Sequence, residues 1–261
     1  MLRSRGLPVA LLAIPLALSI WHGIGEAAPC AADLASCPDR GCADPETDDA
    51  LVNQAKRRTP LPGTPVRLTL DDFDRLQSQA DQLVGQKVSL DQTARNRLRD
   101  LKLKSSDRRV AEGDLVEVTG YLTGLPHRPK ASSPESVNCR LTGVDNNDYH
   151  IPLARHPEDT EFEGIVVEMI PQGRSDEWTT GTLRRIAREG RPVVVRGQLF
   201  YDNLHEVNDD PDDVKPSQPK RFSLWEVHPV TEVHVCMTAS KKCNTKIVKE
   251  PQWKPLEKVP D

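Results

Sequence analysis

The stretch that decides the fold is PVVVRGQLFY at 192–201, where three consecutive valines precede a glycine and an aromatic pair. β-Branched and aromatic residues at this density predict a strand. The stretch GDLVEVTGYLT at 113–123 repeats the V-x-V-x-G pattern, which places Gly120 and Gly197 at corresponding positions. Glycine inside a strand permits the sharp bending that closes a barrel. Both stretches are therefore predicted to be barrel strands.

Two more strands and one helix are predicted between these stretches, and a third strand is predicted after them. The strands are expected at 138–154, 164–170 and 222–236. The segment TGTLRRIARE at 180–189 predicts a short helix that ends at Gly190. The predicted chain order is therefore three strands, one helix and two strands.

This order resembles that of the OB-fold, a five-stranded Greek-key barrel. The resemblance covers about half of the chain and implies the strand order 1-2-3-5-4. It also implies a ligand-binding face on strands two and three, beside the loop between strands four and five. We expect a mainly β protein, with an OB-fold-like barrel over 108–240 and one helix between strands three and four.

The N-terminus predicts export. Arg3 and Arg5 precede an uncharged apolar run, and Ala27 is suited to a signal-peptidase cut, so residues 1–27 read as a signal peptide. A membrane anchor is an alternative, but the apolar run is shorter than the roughly 20 residues of a spanning helix. A lipoprotein is another alternative, because Cys30 follows the cut, although Pro29 disfavours lipid attachment.

The segments that flank the barrel differ in character. Residues 28–68 are rich in proline, aspartate and cysteine, and we expect an irregular arm. Residues 69–107 are expected to be a helical segment, because apolar residues recur at helical spacing and Thr69 with Asp72 suits a helix start. Residues 241–261 are expected to form a flexible basic tail.

Six cysteines remain after the predicted cleavage: Cys30, Cys37, Cys42, Cys139, Cys236 and Cys243. An even number in an exported chain predicts disulfides, and six cysteines leave 15 pairings open. A metal site is the alternative, but the spacing lacks the paired C-x2-C of zinc sites. We expect no free thiol.

The charge of the barrel segment constrains its partners. Residues 108–240 contain 15 basic and 22 acidic residues, a net charge of −7. This charge disfavours nucleic acid, the common OB-fold ligand, unless a metal bridges to phosphate. No second apolar run follows the signal peptide, so no membrane span is expected in the mature chain. The expected partner is an unknown ligand or an envelope protein.

Polar side chains alternate with the predicted core on four of the strands. On strand two, for example, Tyr149 and Ile151 face the core, which turns His150 to the outer surface. The strand order implied by the OB-fold makes these strands neighbours, so their outward polar residues share one surface. The candidate residues are Asp148, His150, Glu168, Asp202, His205, Glu226 and His228.

Imidazole and carboxylate groups together suit a divalent metal such as zinc or manganese. They also suit general acid–base chemistry, because histidine titrates near neutrality and a carboxylate can orient it. The alternative is that these residues are only the solvated outer face of a barrel. No G-x-S-x-G, P-loop, H-E-x-x-H or dinucleotide motif is present in the sequence.

A narrower resemblance rests on four pieces of sequence: DYH at 148–150, Glu168, FYDNLH at 200–205 and WEVHPV at 225–230. Together they look similar to a group of uncharacterised secreted bacterial proteins. This resemblance supports the domain and the exported location, and it implies no known activity.

Two functions follow as hypotheses. The first is an exported OB-fold-like binding module that recognises a ligand or partner in the cell envelope or outside the cell. The alternative is a metal-dependent hydrolase, similar to a phosphodiesterase or nuclease, that uses the outward cluster. A purely structural role is a third reading, and the sequence leaves open whether the protein is an enzyme.

Overall fold

The computed structural model describes residues 28–85, 89–124, 126 and 134–260, and the predicted signal peptide lies outside them. The helices are α1 (Asp48–Lys56), α2 (Leu70–Leu83), α3 (Gln92–Arg95) and α4 (Thr180–Glu189). The strands are β1 (Val66–Leu68), β2 (Leu101–Lys102), β3 (Arg109–Val110), β4 (Leu115–Leu122), β5 (Tyr149–Ala154), β6 (Ile165–Met169), β7 (Pro192–Tyr201), β8 (Trp225–Cys236) and β9 (Trp253–Pro255).

Five of these strands form the predicted barrel. They are hydrogen-bonded in the order β4-β5-β6-β8-β7, and β7 pairs with β4 to close the barrel. Helix α4 lies between β6 and β7 in the chain. The OB-fold-like order of strands and helix is therefore confirmed. Outside the barrel, β1 pairs with β4, β9 pairs with β8, and β2 pairs with β3 in a separate two-stranded sheet.

The predicted bend at Gly197 is present. The pairing of β7 with β8 changes register on both sides of this residue. A Cβ atom at Gly197 would lie 2.2 Å from the carbonyl oxygen of Pro229, so the two backbones approach too closely for any side chain. Gly120 on β4 is similar, because a Cβ there would lie 2.7 Å from the oxygen of Ala154.

Helix α2 begins as its sequence predicts. The Asp72 carboxylate accepts hydrogen bonds from the backbone N–H and hydroxyl of Thr69, at 2.7 and 2.8 Å, which forms a capping box. The same carboxylate accepts from the backbone of Lys104 and Ser105 and from the Ser105 hydroxyl. Asp72 therefore joins the start of the helix to the chain between β2 and β3.

Replacing Asp72 by asparagine is expected to reduce the free energy of unfolding by about 2–3 kcal/mol at pH 7, because an amide cannot accept all of these bonds. Burial opposes ionisation of Asp72, but the bonds from Thr69 and Ser105 hold its pKa below the usual value. The stabilisation is therefore present above the unfolded-state pKa and is lost as the pH falls. Chemical unfolding of wild type and Asp72→Asn at pH 7 and pH 3 measures this. If the variant loses as much stability at pH 3 as at pH 7, the prediction is wrong.

The arm at 28–68 is not irregular throughout, which corrects the prediction. Helix α1 and strand β1 lie within it. The nine residues of α1 carry a buried side that mixes alanine and valine with Asn53 and Lys56, so the sequence shows no clean apolar period. Thr47 caps the helix by accepting a hydrogen bond from the Ala50 N–H.

The second barrel strand is shorter than predicted, because β5 begins at Tyr149 rather than near 138. The φ angles of Cys139 and Arg140 are 54° and 55°, in the left-handed region that an extended strand cannot contain. The segment before β5 is therefore a loop, and a disulfide from Cys37 to Cys139 ties it to the arm.

The C-terminal segment 241–261 is not a free tail, which corrects a second prediction. Strand β9 pairs with the end of β8, and Trp253 is fully buried beside Val194 and Cys236. One tryptophan in a lysine-rich sequence carries no periodic signal, so the docking was not predictable from the pattern.

All six cysteines form disulfides: Cys30–Cys42, Cys37–Cys139 and Cys236–Cys243. The expectation of no free thiol is confirmed for the structure. Three disulfides are typical of proteins from an oxidising compartment. No helix within the described ranges is long and apolar enough to cross a bilayer.

Candidate functional site

The candidate residues on three strands share one face of the barrel wall. His150 on β5 is paired directly with Glu168 on β6. Val167 pairs with Val227 on β8, so the residues that follow them, Glu168 and His228, point to the same side. The common face expected from strand alternation is therefore present.

This face is buried, which corrects the alternative that these residues are only the solvated outer face of a barrel. Asp148, Glu168, Asp202, Glu226 and His228 are each no more than 1% exposed. The arm provides the cover, because Val52 and Ala55 of α1 pack against the outward ring of Phe200. The Gln198 side chain also donates a hydrogen bond of 2.7 Å to the carbonyl oxygen of Ala55.

Asp148, Glu168 and His228 form the first group of possible metal ligands. Each offers one ligand atom, and these atoms all lie within 4.8 Å of one another. His228 Nδ1 lies 2.7 Å from Glu168 Oε2, and His228 Nε2 lies 3.8 Å from Asp148 Oδ2. His228 Nε2, Asp148 Oδ2 and both carboxylate oxygens of Glu168 are buried without a well-directed hydrogen bond among the described residues. These buried groups could hold a divalent metal.

Glu168, Asp202 and Glu226 form a second group of possible ligands. Buried cations already lie against two of its members. Arg221, which is fully buried, forms an ion pair with Glu226 and lies 3.8 Å from Asp202. Lys56 Nζ lies 3.7 Å from Asp202 Oδ2. A metal in this second group would be repelled by two fixed positive charges, so the first group is the better metal site.

His150 and His205 lie where the buried cluster meets solvent. His150 Nε2 is 3.2 Å from Glu168 Oε1 and 3.3 Å from Glu135 Oε1. His205 Nε2 is 3.4 Å from Asp202 Oδ2. Each histidine is partly exposed and reaches inward to a buried carboxylate, so each connects the cluster to the surface.

Four members of the cluster were absent from the predicted site: Lys56, Glu135, Asn138 and Arg221. The Asn138 amide donates hydrogen bonds of 2.9 Å to both Asp148 and Glu135. These residues come from a helix end and from loops, where side-chain direction follows no simple period. For the three charged residues the available signal was their charge, as where Lys56 interrupts the buried side of α1; the neutral Asn138 offered none.

The cluster shifts the pKa values of its members. Burial disfavours charged imidazole, but the surrounding carboxylates, Glu168 foremost, outweigh this and raise the pKa of His228 to about 10 and of His150 to about 9. Burial and repulsion from Glu135 raise the pKa of Asp148 to about 7. Burial opposes ionisation of Glu168 too, yet the two histidines and Lys56 hold its pKa well below the usual value. Without a metal, protons on the histidines balance the buried carboxylates.

A cleft of about 650 Å³ opens over the cluster. Its walls come from the end of α1, residues 135–137, β5, β6 and the loop at 204–220, and Lys56, Glu135, His150 and His205 line it. A cleft of this size suits a small molecule. It lies beside β5 and β6 and the loop between β7 and β8, which are the places that the OB-fold resemblance implied.

Comparison with models of known protein families and with curated proteins found no match for this chain.

Proposed function

We propose that the protein is an exported binding module whose cleft recognises a small ligand, and whose barrel holds a divalent metal, zinc or manganese, in the buried cluster behind the residues that line that cleft. Asp148, Glu168 and His228 are the proposed metal ligands. Export is supported by the predicted signal peptide and by the three disulfides.

One observation carries this proposal: two carboxylates and an imidazole converge within 4.8 Å and remain short of hydrogen bonds although they are fully buried. Burying two carboxylates is costly unless nearby cations or donors compensate them, and here that compensation comes from the two histidines beside Glu168 and the Asn138 amide on Asp148. A divalent cation would satisfy all three groups at once. Mixed oxygen and nitrogen ligands suit zinc and manganese better than calcium or magnesium.

The surroundings of the three residues are typical of a metal site. Asn138 donates to the remaining oxygen of Asp148, at 2.9 Å, and so fixes the direction of that carboxylate. Phe200 packs edge-on against the His228 ring, with 5.5 Å between centroids. Groups that orient the ligands in this way are common around metals and strengthen binding.

The metal proposal predicts one bound ion per chain in chelator-treated protein that has been reloaded with Zn²⁺ or Mn²⁺. Replacing Asp148 by asparagine is expected to weaken binding about 100-fold or more, because one of three ligands is lost. The matched control is Asp202→Asn, which belongs only to the second group and is expected to keep the ion. Elemental analysis and calorimetric titration measure both, and circular dichroism checks the fold.

If Asp202→Asn loses the ion and Asp148→Asn keeps it, the ion lies in the second group and the ligand assignment is refuted. If neither wild type nor control binds an ion at stoichiometric level, the metal part of the proposal is wrong. The cleft would then remain as a site for a ligand that binds without metal.

The hydrolase remains the second candidate because of one specific feature, the position of His150. Its Nε2 lies 3.2 Å from Glu168, a proposed metal ligand, and its ring lines the cleft. A histidine between a metal site and a cleft is placed to accept or donate a proton. Metal-loaded protein should be assayed with a chromogenic phosphodiester. Metal-dependent turnover that falls about 100-fold in His150→Ala would favour the hydrolase, and absence of turnover would favour the binding module.

A further inference from the structure

Two lysines from separate parts of the chain line the cleft: Lys56 at the end of α1 and Lys220 in the loop before β8. Each forms a long ion pair, of 3.7 Å from Lys56 to Asp202 and 3.8 Å from Lys220 to Glu161. Each ammonium group also lies over an aromatic ring, Phe200 for Lys56 and Phe162 for Lys220. Within the part of the chain that the structure describes, neither ammonium group is close enough to these carboxylates to donate a hydrogen bond. Both lysines therefore retain donors for a ligand.

Two acidic residues line the cleft, Glu135 and Glu161. Glu161 faces Lys220, and Glu135 is engaged by hydrogen bonds. One oxygen of Glu135 accepts from the Asn138 amide at 2.9 Å and from the backbone N–H of Asp148 at 3.3 Å. Its other oxygen lies 3.3 Å from His150. The lining groups that retain hydrogen bonds to donate are thus the two lysines, and their positive charge favours an anionic ligand.

Part of the lining is apolar. Pro152 and Val166 contribute from β5 and β6, and Leu204, Pro216 and Pro219 contribute from the loop at 204–220. Leu204 is 38% exposed, which is high for a large apolar side chain next to a buried cluster. A ligand that covers it would remove apolar surface from water. Inorganic anions have no group to do this, whereas an organic anion does.

We propose that the cleft binds a small organic anion, with a carboxylate or phosphate group against Lys56 and Lys220 and an apolar part against Leu204 and the prolines. This inference deepens the proposed binding function and rests on the cleft being its ligand site. It does not require the metal, because both lysines and the apolar wall lie outside the three proposed metal ligands.

The test uses benzoate and phenyl phosphate as anionic probes and benzamide as the neutral analogue. Binding to chelator-treated full mature protein is measured by ligand-observed NMR and calorimetry. A fragment of this size is expected to bind at about millimolar Kd. Benzamide is expected to bind at least 10-fold more weakly. Added salt should weaken benzoate binding, because part of the attraction is between charges that contact solvent. Whichever anion binds more tightly identifies the head group.

Three lysine variants locate the probe. Lys220→Gln lies in an exposed part of the loop and should fold normally; it is expected to weaken benzoate binding about 3- to 10-fold. Lys56→Gln should weaken it further, and Lys56→Arg, which keeps the charge, should restore much of the loss. Lys215→Gln is the matched control, because Lys215 is in the same loop but does not line the cleft. It should stay within 2-fold of wild type.

Equal binding of benzamide and benzoate would overturn the proposal, as would an equal effect of Lys220→Gln and Lys215→Gln. Repeating the titration with metal-loaded protein separates this inference from the proposed function. If the metal binds as expected and no anion binds in either form, only the anion inference fails. If no metal binds and the anions still do, the anion inference stands alone.

Discussion

Replacing Cys37 and Cys139 together by serine is expected to reduce the free energy of unfolding by about 4–5 kcal/mol, because the disulfide closes a long loop. The two cysteines are 102 residues apart in the chain and are both buried. The bond also holds the arm, whose helix α1 covers the charged cluster. We expect the backbone amides of α1 to lose protection from hydrogen exchange in the same variant.

The control is the double serine variant of Cys236 and Cys243, which are only 7 residues apart. The same loop-closure argument predicts a loss of about 2 kcal/mol for a loop this short. Chemical unfolding under non-reducing conditions compares the two variants. If the loss in the long-loop variant is no larger than in the short-loop variant, the arm is not held in the way the structure indicates. Retained protection of α1 would lead to the same conclusion.

Replacing Arg221 by methionine is expected to reduce the free energy of unfolding by about 3–5 kcal/mol, because it leaves the Glu226 carboxylate buried without the arginine. Arg221 and Glu226 are both fully buried, and their side chains form an ion pair. Burial and repulsion from Glu168 raise the pKa of Glu226 even with the arginine present. Without it, Glu226 should take up a proton or the region should open.

The double variant Arg221→Met, Glu226→Gln is the informative comparison. Removing both charges should recover at least half of the lost stability, since the penalty comes from the unpaired charge more than from the lost pair. Arg109→Met is the surface control, because Arg109 and Asp100 form an exposed pair. It should change stability by less than about 1 kcal/mol. A double variant no more stable than Arg221→Met would mean that the arginine acts through packing instead.

The common face of the candidate site was predictable because a strand has a period of two. Once Tyr149 and Ile151 are assigned to the core, His150 must lie on the other side. The same reasoning applies to Glu168 and His228, and the register of β5, β6 and β8 brings the three together. This part of the site needed only alternation and the strand order.

The environment of that face was not predictable in the same way. An outward position on a barrel strand is solvated unless another part of the chain covers it. Here the cover is α1, whose position depends on a disulfide between residues 102 apart and on the contact of its apolar side chains with Phe200. Neither follows from local pattern, since six cysteines allow 15 pairings.

The sequence by itself determined the barrel strands and the side of the sheet on which Asp148, His150, Glu168 and His228 lie, because alternation and turn residues act over a few neighbouring positions. The order of the strands was implied by the resemblance to the OB-fold. Only the tertiary structure decided that this side is buried, that Lys56, Glu135 and Arg221 join it, and that a cleft opens beside it. Those features depend on contacts between segments far apart in the chain. The same side chains that are ordinary surface groups in water become strongly coupled charges once the arm removes their solvent.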